Sequence, residues 1–193
     1  MYHQRMRSRC IQLILTAFLA LAAAPASAQG FISPYAGYNF GGDSTNCVSL
    51  QNCEDKRLNI GVSLGTVRGA AGFEEDIAYA RDFFGKTPGV SNAVLTAMSN
   101  LMIAIPAGPL QPYFVLGLGL IRSHAELDTS ILSVTQNSLG YDFGGGLNIF
   151  FGHSFGIRGD IRKLSTFEDI TLGLFSDAKV DFWRASAGVT LRF

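Results

Sequence analysis

A few groups of side chains in this chain have types and spacings that could do chemistry. Ser123, His124 and Glu126 offer a nucleophile, a base and an acid close together, the set used for acyl transfer. His153 next to Ser154 offers a smaller version of the same pair. Arg158, Asp160 and Arg162 lie at i, i+2 and i+4, which puts three charges on one face of a strand. Cys47 and Cys53 bracket a short polar stretch, C-V-S-L-Q-N-C. Gly117-x-Gly119 begins like a dinucleotide-binding turn, but Arg122 stands where the third glycine of G-x-G-x-x-G belongs, so the fingerprint fails. With no C-x-x-C pair and no His/Cys cluster, no structural metal site and no cofactor are expected.

What these residues can do depends on the elements that hold them, and residues 1–28 must be set aside first. Arg5, Arg7 and Arg9 form a positive start, Leu13 to Ala24 form an apolar stretch, and Pro25-Ala26-Ser27-Ala28 ends it with small residues at Ala26 and Ala28. This is the pattern of a secretory signal peptide cleaved after Ala28; the competing pattern is an N-terminal membrane anchor, for which the apolar stretch is short. Cys10 precedes the apolar stretch, so a lipoprotein signal does not fit. Removal takes three of the 15 basic side chains and leaves 12 against 15 acidic ones. In an oxidising compartment Cys47 and Cys53 are expected to form a disulfide, the alternative being two free thiols.

From Gln29 onward the apolar period is two. In the last segment Trp183, Ala185, Ala187, Val189, Leu191 and Phe193 alternate with Phe182, Arg184, Ser186, Gly188, Thr190 and Arg192. The same alternation predicts eight strands, near 31–40, 56–66, 72–84, 92–105, 110–123, 136–151, 154–163 and 180–193. Residues 92–105 are apolar on both faces, and Tyr113 and Val115 are less polar than their face requires. Glu75 and Arg81 fall on the apolar face of 72–84, tolerable only near strand ends. Connections alternate between long or moderate (41–55, 124–135 and 164–179 long, 85–91 moderate) and short (67–71, 106–109, 152–153), as in barrels that cross a membrane. A soluble sandwich also has period two. Here, however, the second face is small, glycine-rich and charged, as a crowded interior would be.

An all-β, eight-stranded antiparallel up-and-down transmembrane barrel is therefore expected over residues 29–193. Its interior would hold Glu74, Asp76, Asp82, Asp142 and Asp160 against Arg57, Arg158, Arg162, Arg184 and Arg192. Eight strands enclose just enough room for their own side chains. Unpaired buried charges are costly, so a salt-bridged plug centred on the Arg158, Asp160 and Arg162 trio is expected; the rival is a polar track for small ions or solutes. Aromatic girdles are expected from Tyr38, Phe40, Phe83, Phe84 and Trp183 at one end and Phe73, Phe150, Phe151, Phe155 and Phe193 at the other. Disorder is excluded by a chain that is 48% apolar with 16% charged residues, and the absence of excess basic charge argues against nucleic-acid binding.

The segments F-I-S-P-Y-A-G-Y-N-F, G-Y-D-F-G-G-G-L-N and the terminal G-V-T-L-R-F resemble the small outer-membrane β-barrel proteins of Gram-negative bacteria, the group of the OmpA-like transmembrane domain and the opacity-type surface proteins. The resemblance implies an outer-membrane location, both termini in the periplasm, and a barrel without the peptidoglycan-binding domain of full OmpA proteins. It also implies that Val189, Leu191 and Phe193 form the signal read by the barrel-assembly machinery. The roles it suggests are membrane integrity or adhesion through the outer loops to host or environmental molecules. Arg81, Lys86, Arg122 and His124 would pair with lipopolysaccharide phosphates or stand as ordinary solvated rim charges. Some such barrels modify lipid A acyl chains, but Ser123 and His124, adjacent on a strand, would diverge, and the residues 153–154 lie in a periplasmic turn. No enzyme activity is expected.

Overall fold

A computed structural model describes residues 29–42, 56–83, 90–127, 133–167, 170–172, 175–178 and 180–193. Ala26, Ala28, Cys47, Cys53, Phe84 and Lys86 lie outside the described residues, so the expectations placed on them are not addressed by it.

Alternating side chains make strands with one inward and one outward face. The strands are β1 (Gln29–Phe40), β2 (Lys56–Arg68), β3 (Ala71–Arg81), β4 (Val90–Ala104), β5 (Leu110–Leu127), β6 (Ser133–Phe151), β7 (Phe155–Thr166), β8 (Ile170–Leu172), β9 (Phe175–Ala178) and β10 (Asp181–Arg192). Eight of them close in the order β1-β10-β7-β6-β5-β4-β3-β2, and β8 with β9 form a separate two-stranded sheet. All neighbouring barrel strands are antiparallel. The seam joins the first and last strands, from Phe31 opposite Arg192 to Phe40 opposite Trp183. Phe193 completes it: its N–H and C=O both bond to Gly30 at 3.0 Å. Closure leaves no open sheet edge, the condition for backbone in a bilayer.

The outward face carries a broad apolar band. Leu58, Ile60, Leu64, Leu101, Ile103, Phe114, Leu116, Leu118, Leu120, Leu139 and Ile161 are all exposed. No element among the described residues shields this band, and for a closed barrel the lipid hydrocarbon is the solvent that suits it. The turns at the end bearing the chain termini are tight. Residues 69–70 and 152–154 connect strands directly, and Gly152 there has φ of +86°, a conformation that a side chain would strain.

Several boundaries differ from those expected. β5 and β6 run on to Leu127 and from Ser133, so the connection expected at 124–135 shrinks to 128–132. His124 is a strand residue opposite Thr135, and the two side chains are 2.8 Å apart. Val134 and Thr135 are β-branched, and the ladder continues beyond the apolar band because its polar groups pair across the strands. The connection expected at 164–179 contains the end of β7 and the β8–β9 hairpin. β3 stops at Arg81 because Asp82 takes φ of +51°. That turn reverses the alternation and sends Phe83 inward, where it is fully buried, rather than into the girdle. Phe150 is likewise inside, at the inward parity of β6. Tyr38, Trp183, Phe151, Phe155 and Phe193 do face outward.

Candidate functional site

The inward face carries the chemistry. Of the charges expected inside, Glu74, Asp76, Asp142, Arg158, Asp160, Arg162 and Arg184 meet in one belt. Arg162, on β7, is its centre and is completely buried. Its Nη2 donates to Glu74 Oε1 at 2.7 Å and Asp160 Oδ2 at 3.2 Å. Its Nη1 lies 3.6 Å from Asp142 Oδ2 and 3.8 Å from Asp76 Oδ2. Arg158 reaches the other oxygen of Glu74 at 2.6 Å, and Arg184 on β10 donates to Asp76.

Neutral groups complete the belt, and the charge pattern alone did not point to them. Tyr35 and Ser63 each donate to Asp76 Oδ2 at 2.9 Å. Tyr113 donates to Asp160 Oδ2 at 2.7 Å and accepts from Arg158 Nε at 2.7 Å, with the guanidinium 4.5 Å above its own ring. Ser186 donates to Asp160 Oδ1 at 2.7 Å. With its amide turned to suit both neighbours, Asn100 donates to Asp142 at 2.6 Å and accepts from Arg162 at 3.1 Å. Each barrel strand therefore contributes: Tyr35 from β1, Ser63 from β2, Glu74 and Asp76 from β3, Asn100 from β4, Tyr113 from β5, Asp142 from β6, Arg158, Asp160 and Arg162 from β7, and Arg184 with Ser186 from β10. Four carboxylates face three guanidiniums, and hydroxyl and amide donors add further contacts, while Arg158 Nη1, Arg162 Nε, and Arg184 Nε and Nη1 are buried without a hydrogen-bond acceptor among the described residues. Opposite charges at these distances, with the hydroxyl and amide donors beside them, offset much of the cost of burying ionised groups.

Apolar clusters lie on either side of the belt along the barrel axis. Toward the end remote from the termini, Ala80, Phe83, Val94, Met98, Ile121, Leu164, Val180 and Phe182 pack together. Phe83 meets Phe182 edge-on at 4.8 Å. Toward the termini, Phe31, Met102, Ala104, Tyr113 and Val115 pack together, with Val67 against them. These clusters account for the strands that looked apolar on both faces. Met98, Met102 and Val115 point inward because the barrel has an oily core above and below its charges. A cavity of about 10 Å³ beside Asn39, Asn59, Thr96 and Arg184 is room for about one water.

The other expected interior charges stand apart from the belt. Arg57 is buried on β2 opposite Asn39, toward the far end. Arg192 is half-buried near the termini, donates to Gln111 and stacks 3.1 Å over the Phe150 ring. Asp82, expected inside, lies past the end of β3 and joins no ion pair among the described residues, because its turn takes it off the inward row.

Ser123 and His124 diverge: Ser123 is fully buried and His124 faces outward toward Thr135. The pair is not within hydrogen-bond reach, which a nucleophile and its base require. His153 and Ser154 occupy the 152–154 turn. Among the described residues no cluster of three or more His, Cys, Asp and Glu side chains could hold a metal ion.

A closed eight-stranded barrel with an apolar outer wall defines a membrane β-barrel. The family model for the outer membrane protein beta-barrel domain matches residues 13–193, and the chain belongs to that family. No curated protein sequence matches it. Solved structures share the fold at low identity. Neisserial surface protein A is 16% identical with a TM-score of 0.64, over 86% of this chain and 97% of that one. OprG of Pseudomonas aeruginosa is 14% identical with a TM-score of 0.63, over 86% and 96%. Ail, the attachment invasion locus protein of Yersinia pestis, solved in complex with the heparin analogue sucrose octasulfate, is 17% identical with a TM-score of 0.55, over 86% and 99%.

Proposed function

We propose that this barrel is a non-conducting, non-enzymatic scaffold of the bacterial outer membrane that works through what it displays on its outer side. The observation that carries this reading is the layering of the lumen. A permeant ion would have to part Arg162 from four carboxylates and then pass an oily cluster at either side. Separating such a pair leaves an uncompensated buried charge, at a cost of about 3–5 kcal/mol per pair. The expected result with purified protein in a planar bilayer is a silent membrane. Reproducible single-channel steps would overturn the reading in favour of a narrow porin-like channel for small solutes or ions.

In this reading residues 1–28 are an export signal, both termini lie in the periplasm, and the longer connections face outward. The Cys47–Cys53 disulfide would staple the first of those connections. Surface contacts with host or environmental molecules would be made there; the complex of Ail with a heparin analogue supports ligand binding by a barrel of this fold. Arg81 and Arg122 are exposed and outward at the remote end, near His124, and Lys163 lies 5.4 Å over the Trp183 ring while pairing with Asp181. Cations at that level suit the phosphates of lipopolysaccharide.

Among the described residues Phe193 is the most exposed large apolar side chain, at 82%, yet it closes the seam with its backbone. A ring left free at the seam fits the proposed role of Val189, Leu191 and Phe193 as the signal for the barrel-assembly machinery. Deleting Phe193 is expected to cut outer-membrane insertion in cells severalfold, measured by fractionation. Refolding of the same variant in detergent should fall much less, since only two backbone hydrogen bonds are lost.

A further inference from the structure

Glu75 is a feature of the outer wall that lipid does not explain. It was expected to be tolerable only near a strand end, yet it is the fifth of the 11 residues of β3. On the outward row of that strand it sits between Phe73 on the terminal side and Ile77 and Tyr79 on the other. Across the ladder it is in line with Leu64 on β2, and with Ser99 on β4 and then Leu118 on β5. Ser99 Oγ donates to both of its oxygens, at 3.1 and 2.9 Å. A hydroxyl and a carboxyl thus face outward side by side, at one level, among the exposed apolar side chains Leu64, Ile77, Leu101 and Leu118. Ionisable groups within the apolar zone are costly and face protein or water rather than acyl chains.

We infer that the β3–β4 wall is an interface between two copies of this chain. The arrangement is self-complementary. Two barrels in one membrane, both inserted in the same direction, are related by a two-fold axis along the membrane normal. Such an axis carries Glu75 to the side where the first copy presents Ser99, and Ser99 to the side where it presents Glu75. Each carboxyl group then meets a hydroxyl of the other copy, and the same patch serves on both sides, as a two-fold interface requires. Around this polar centre Leu64, Ile77, Leu101 and Leu118 supply exposed apolar side chains, and Ala97, next along β4, leaves room for close approach. Ser99 places its one hydrogen on the Glu75 of its own copy, so the contact between copies runs from the carboxyl O–H of Glu75 to the lone pairs of the other copy's Ser99 Oγ, an acceptor that a lipid tail does not offer.

The test is sedimentation equilibrium of the full refolded barrel in density-matched detergent, with chemical cross-linking of the protein in vesicles. The wild type is expected to be dimeric. Glu75→Leu is expected to weaken association at least tenfold while unheated samples still migrate as closed barrels. Glu75→Gln, which keeps an oxygen and adds a donor, should retain the dimer. Ser99→Ala, which leaves the barrel wall intact, should weaken it as well and serves where Glu75→Leu folds poorly. A wild type that is monomeric in both settings overturns the inference, as does unchanged association of Glu75→Leu and Ser99→Ala. A carboxyl group that only reaches toward lipid head groups would give the monomeric result.

Discussion

Replacing Arg162 with methionine is expected to destabilise the barrel by about 4 kcal/mol, the scale for removing one partner of a buried ion pair. The side chain has no solvent to retreat from, and four carboxylates lose their shared counter-ion together. Glu74 would retain Arg158, and Asp76 would retain Arg184, so the damage should concentrate on Asp142, whose other described partner is Asn100. Pairing Arg162→Met with Asp142→Asn should therefore recover part of the loss, whereas pairing it with Asp160→Asn should recover less, because Tyr113, Ser186 and Arg158 still serve Asp160. Unfolding in urea, followed by the fluorescence of Trp183, the sole tryptophan, measures all three. Equal stability of Arg162→Met and wild type would mean that the belt fills space without holding the strands.

The second large effect is expected at Gly61, where valine should cost about 3 kcal/mol, at the upper end for overpacking a filled interior. A Cβ there would collide with the Tyr35 ring and lie 2.6 Å from the Ile77 carbonyl oxygen. Backbone cannot yield, so Tyr35 must move, and its hydrogen bond to Asp76 goes with it. Gly188 bears on the same tyrosine from the other side, where a Cβ would lie 2.7 Å from Tyr35 Cβ. Ala36→Val on the lipid-facing side is the control and should leave the urea midpoint nearly unchanged, because Ala36 is exposed and has room. A Gly61→Val barrel as stable as the control would show that the ring has space to turn.

Much of the barrel was legible because a single period of two does two jobs: it makes strands and it sorts solvents. Leu58, Ile60 and Leu64 against Asn59, Gly61 and Ser63 needed no tertiary information to be placed. Phe83 was misplaced because one left-handed residue, Asp82, shifts parity, and nothing in the local alternation announces a positive φ. Val94, Met98 and Ile121 were ambiguous for a different reason. In this fold oil lies both outside and inside, so a strand with two apolar faces carries no sign telling which is which. The acids and bases of the belt could be enumerated, but not their partners. Arg162 and Glu74 are 88 residues apart, and Arg184 and Asp76 are 108 apart, so only closure decides who meets whom. Tyr35 and Tyr113 went unassigned for the same reason, since a buried phenol looks like any aromatic until its acceptor is known. Glu75 was noticed as an exception, and its position at mid-strand turns that exception into a question about neighbours.

The belt also imposes an order on biogenesis. Its carboxylates on β3 are synthesised long before the arginines of β7 and β10 that neutralise them. A chain stopped after β6 would carry Glu74, Asp76 and Asp142 with none of these cations, and its first strand would have no last strand to bond. The bilayer therefore has no reason to accept a half-made cylinder, and insertion waits for the C-terminal third, so that commitment to the membrane and completion of the chain become one event.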